Sequence, residues 1–80
     1  MSLPPELRAA LENLRKVRSE RPVGDYDPES YAAWRDRIAD ALESLSTVLL
    51  YDEDRRKAIA ESTAARNEAA NIRAGLDKPT

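Results

Sequence analysis

Asp25, Asp27 and Glu29 alternate as the first ligands of a calcium-binding loop do, and Asp52, Glu53 and Asp54 form a second acidic run. Neither run completes a cation site. Ser30 stands where the calcium loop requires Gly, and Asp36 stands where it ends on a bidentate Glu. Three consecutive helical residues point in three directions, so Asp52–Asp54 read as a first-turn charge cluster at the positive end of a helix dipole. Asp27, followed by Pro28 and Glu29, reads as a helix cap. The chain has no Cys and no His, which removes thiolate chemistry, the commonest metal ligand and the commonest general base. Its carboxylates, hydroxyls, Lys and Arg fall mostly on polar helix faces, and no Gly-rich phosphate loop is present. The expectation is a protein that is not an enzyme and that uses no metal, cofactor or small-molecule substrate.

The second chemistry to weigh is nucleic-acid binding. Arg55, Arg56 and Lys57 open a helix that continues through Arg66 and Asn67, residue types that reach phosphates and base edges. A short turn near residue 51 also suits a helix-turn-helix. Acidic neighbours dilute this field, and the whole chain carries a net charge of −2. The nucleic-acid-binding regulator is therefore the alternative reading. A solvated face that balances an acidic neighbouring helix is the leading one.

These residues must be positioned by helices, because the apolar pattern is helical throughout. Tyr31, Trp34, Ile38, Ala41, Leu45 and Val48 recur at steps of three and four, widened by Leu42 and Leu49. They fall in an arc of roughly 120° at 100° per residue. An earlier stripe, Leu3, Leu7, Ala10, Leu14 and Val17, starts beside Pro4 and Pro5 and ends before Pro22 and Gly24. The short connection makes the two an antiparallel hairpin with coiled-coil-like spacing.

No Gly or Pro interrupts residues 29 to 74, so a single helix of roughly 70 Å is open to the chain. The stripe argues for a break near Tyr51 to Glu53, because its register beyond Val48 lands on Asp52 and Arg55. The last helix is Ala-rich, with Ala58, Ser62, Ala65, Ala69 and Ile72 on one narrow face. Gly75 is placed to stop it.

The predicted fold class is all-α: an antiparallel helical hairpin plus a third Ala-rich helix, as a three-helix bundle or a dimeric helical bundle. Helices are expected at about 4–20, 28–50 and 53–74 of a single small domain, with a loose tail over 75–80. Eighty residues give a thin core. The central helix carries more apolar surface than a hairpin covers, which predicts self-association, as a homodimer with paired central helices, or another helical protein as partner. Tyr31, Trp34, Ile38, Leu42, Leu45 and Leu49 are the predicted partner or dimer interface.

Charge is unevenly placed. Residues 25–54 carry nine acidic and two basic side chains, between a segment with five basic and three acidic and one with six basic and three acidic. An acidic central helix thus lies between two mildly basic segments of its own chain. No apolar run approaches a membrane span and the N-terminus lacks a signal-peptide pattern, so a cytoplasmic location is expected. The Ala- and Arg-rich composition suggests a GC-rich bacterial genome. Together these features predict a non-enzymatic interaction module, a small adaptor, regulator or assembly protein, acting through helix–helix packing.

Overall fold

The computed structural model describes residues 3–24 and 27–77, and the order of elements is α1 (Pro5–Ser19), α2 (Pro28–Val48) and α3 (Asp52–Asp77). Each start follows from local chemistry. Pro5 occupies the first position of α1, where the missing N–H costs nothing. The Asp27 carboxylate accepts from the Ser30 backbone N–H at 2.7 Å and caps α2. That hydrogen bond holds the Asp27 carboxyl below its ordinary value. Asp25 of the calcium-like pattern lies outside the described residues.

Residues 28–77 form two helices, joined at Leu49–Tyr51. Leu49 leaves the helix with an extended ψ of 143°. The Arg55 side chain then donates from Nε to the Leu49 carbonyl at 2.8 Å, closing the corner. The expected stop at Gly75 does not occur: α3 runs on to Asp77. Nothing lies within 4 Å of where a Gly75 Cβ would sit, and a lone Gly in an exposed helix costs only about 1 kcal/mol relative to Ala.

The chain is an all-α three-helix bundle with α2 in the middle. It packs against α1 and, over a longer stretch, against α3, while no Cα of α1 lies within 8 Å of one in α3. The result is an open layer, 55 × 25 × 12 Å, rather than a closed triangle of helices.

Two unlike faces of α2 make this possible. Toward α1 it presents bulk: Trp34, Ile38 and Leu45 are buried together with Leu7, Leu14 and Val17. Toward α3 it presents Ala32, Ala39 and Ser46, spaced by seven residues. These sit in phase with Arg35 and Glu43, whose ion pairs run to α3. Ala58, Ser62, Ala65 and Ala69 of α3 are buried in return. The buried hydroxyls are satisfied within their own helices, Ser46 donating to the Glu43 carbonyl at 2.6 Å and Ser62 to the Ile59 carbonyl at 2.7 Å. Neither hydroxyl therefore needs a partner across the seam.

The two seams fail in opposite ways. Leu14→Ala opens a void in the bulky seam and is expected to destabilise by about 2–5 kcal/mol. Ala65→Leu overfills the small seam, at a cost of about 1–3 kcal/mol. Urea denaturation followed by circular dichroism measures both, and a neutral Ala65→Leu would show that α2 and α3 are loosely apposed.

Candidate functional site: a trough beside Trp34 and two arginine clamps

Trp34 joins α1 to α2. Its indole Nε1 donates to the Val17 carbonyl at 2.7 Å, which also accepts from the Glu20 N–H at the end of α1. Tyr31 tilts against the ring at 5.5 Å, and the guanidinium carbons of Arg21 and Arg35 lie 5.8 and 5.6 Å from the indole centroid. Desolvation and a hydrogen bond with Glu68 raise the Tyr31 hydroxyl above its ordinary value. Arg35 Nε is 3.1 Å from Glu68 Oε2, an ionic contact whose angle does not make a hydrogen bond. The sole Trp is thus a structural pin between helices, with cations on its faces.

Because no Cα of α1 comes within 8 Å of one in α3, a trough of about 450 Å³ runs between them over α2. Trp34, Ile38 and Leu42 form its floor, Arg18 and Arg21 border it from the α1 side, and Glu61 and Ala64 from α3. The floor residues are only 3–7% exposed. Over Trp34 lie the guanidinium groups of Arg21 and Arg35.

The residues expected to face a partner are distributed as follows. Trp34, Ile38, Leu42 and Leu45 are buried within the single chain, and Tyr31 and Leu49 are partly buried. The structure brings all six onto the side of α2 that α1 and the trough share, with Leu42 and Ile38 at the trough floor. The second set, considered for nucleic acid, is not brought together as a free cationic surface. Arg66 is clamped between Asp40 at 2.7 Å and Glu43 at 2.8 Å. Arg55 is spent on the corner and on Asp52, and Lys57 pairs with Glu53 at 3.7 Å. Arg56 and Asn67 are exposed.

The acidic central helix does lie against basic residues of its own chain. Arg73 reaches Glu29 and Asp36, as Arg66 reaches Asp40 and Glu43, so two arginines of α3 bind four carboxylates of α2. Arg37 of α2 pairs with Glu20 at the end of α1. The guanidinium of Arg66 lowers the Glu43 carboxyl below its ordinary value of 4.5, and the carboxylates raise both Arg66 and Arg73. Among the described residues no group of three or more His, Cys, Asp or Glu is arranged to hold a metal, and no helix is long and apolar enough to cross a membrane.

The clamps set a pH dependence. A carboxyl with a depressed folded pKa contributes stability above its unfolded value and loses it as pH falls through the folded one. Acid unfolding is therefore expected below pH 4.5, and Glu43→Gln should flatten the fall in melting temperature there. Thermal melts by circular dichroism from pH 7 to pH 3 check this, and equal slopes for both proteins would show that the Arg66 clamp contributes nothing. No family model, curated protein sequence or solved structure matches this chain, so its function rests on its own surfaces.

Proposed function

We propose that the protein is a non-enzymatic protein–protein interaction module, an adaptor, regulator or assembly protein that works through helix–helix packing. One observation carries this reading: α2 is flanked by two helices whose Cα atoms stay more than 8 Å apart, which leaves a trough over Trp34, Ile38 and Leu42 between them. A helix laid there would contact all three helices and turn the open layer into a closed bundle. Arg18, Arg21 and Arg35 at the trough make an amphipathic helix with acidic residues the fitting occupant. Its apolar side would take the place of the Arg21 and Arg35 guanidinium groups over Trp34, and its carboxylates would pair with them.

A photoreactive side chain in place of Ala64, on the α3 bank of the trough, tests this in the source cell. Ala33 is exposed outside the trough and serves as the control position. Cross-links from Ala64 to an acidic helical segment, absent from Ala33, are the expected result; equal labelling from both positions would sink the reading. A gel shift with duplex DNA or RNA gives an independent check. Since Arg55, Arg66 and Lys57 are engaged within the chain, no salt-sensitive shift that disappears with Arg55→Glu and Arg56→Glu is expected.

A further inference from the structure

Arg8 and Arg15 of α1 differ from Arg66 and Arg73 of α3. Arg66 and Arg73 are neutralised by α2, whereas Arg8 and Arg15 have no carboxylate within 4.0 Å among the described residues. With Leu11, which is 37% exposed, they occupy an arc of about 60° on α1 at 100° per residue. This is an apolar centre with an unpaired positive charge one turn to either side.

The opposite surface lies at the α2–α3 corner. Leu50 and Tyr51 are 64% and 69% exposed, and Asp52, Glu53 and Asp54 follow at once. Apart from contacts with their own helix, from Arg55 at 3.3 Å and Lys57 at 3.7 Å, these carboxylates have no cation partner among the described residues. Such exposed local pairs are weak, so Asp52 and Glu53 can exchange Arg55 and Lys57 for a partner's guanidinium at small cost, and Asp54 is in neither pair. The Arg55 side chain bound to the Leu49 carbonyl holds the corner in shape before any contact forms.

We propose that the protein binds a second copy of itself, with Arg8, Leu11 and Arg15 of one protomer seated on Leu50, Tyr51 and Asp52–Asp54 of its partner. One chain carries both halves, apolar against apolar and positive against negative. A two-fold axis repeats the contact, so each protomer uses both patches and leaves neither open to chain growth. Nucleic acid or an anionic surface would complement the α1 patch alone and leave the corner bare. The trough is not part of this contact, so the dimer and the acidic-helix reading stand or fall separately.

Sedimentation velocity at tens of micromolar, in about 50 mM and about 500 mM NaCl, tests it. A dimer at low salt that weakens at least tenfold at high salt is expected. Arg8→Glu/Arg15→Glu should be monomeric, because it sets acid against acid, and Glu53→Lys/Asp54→Lys should be monomeric for the converse reason. An equimolar mixture of the two variants should form a heterodimer, with opposite net charge again across each contact. Circular dichroism verifies that each is folded. Leu50→Ser/Tyr51→Ser, at exposed positions, should weaken the wild-type dimer at least tenfold if a charge variant fails to fold. A monomeric wild type overturns the proposal, and so does a dimer indifferent to these substitutions.

Discussion

The structure depends on α2 serving two unlike neighbours at once. A helix offers a limited arc of surface, and here one part is given to bulk and an adjoining part to small residues. Against bulk, α1 is held by area: Leu7, Leu14 and Val17 bury their side chains with Trp34, Ile38 and Leu45. Against small residues, α3 is held by proximity and length, since Ala and Ser let dispersion contacts form all along the backbone. Such a seam contributes less hydrophobic transfer energy per residue than Leu would. Its orientation is set instead by the guanidinium clamps of Arg66 and Arg73, which span four carboxylates on α2.

That division explains the open layer. Three helices that each contact the other two need apolar arcs converging on one axis. The α3 arc is too narrow for that, because Ala58, Ser62, Ala65 and Ala69 face α2 and the flanks carry Glu61, Arg66 and Glu68. Trp34 compensates at the free side. By donating to the end of α1 and accepting Arg21 and Arg35 over its faces, it fills space that a closed bundle would fill with backbone.

Much of this was legible in the amino-acid sequence. Pro5, the Asp27–Pro28 start and the loss of register after Val48 placed three helices where they are found. The charge pattern anticipated an acidic helix between basic segments. The second face of α2 carries no large apolar residue, so Ala32, Ala39 and Ser46 signal it only by their spacing of seven. Without that face the sequence pattern offers α3 no clear seat and leaves Trp34, Ile38, Leu42 and Leu45 as an apparent surplus, whereas the fold buries all four. Gly75 misled for a different reason: a glycine ends a helix when the chain needs a left-handed turn, and α3 is not required to turn there.

The corner at Leu49–Tyr51 has a consequence for how the fold is kept distinct from its neighbours. No Pro or Gly compels the chain to break there; the bend rests on the extended Leu49 and on the Arg55 guanidinium bound to its carbonyl. Were that joint to straighten, the second and third helices would merge into one rod. The small face of α3 would then be offered to another molecule's α2, which is an identical groove. The corner is therefore what returns α3 to the α2 of its own molecule, where the Arg66 and Arg73 clamps then hold it.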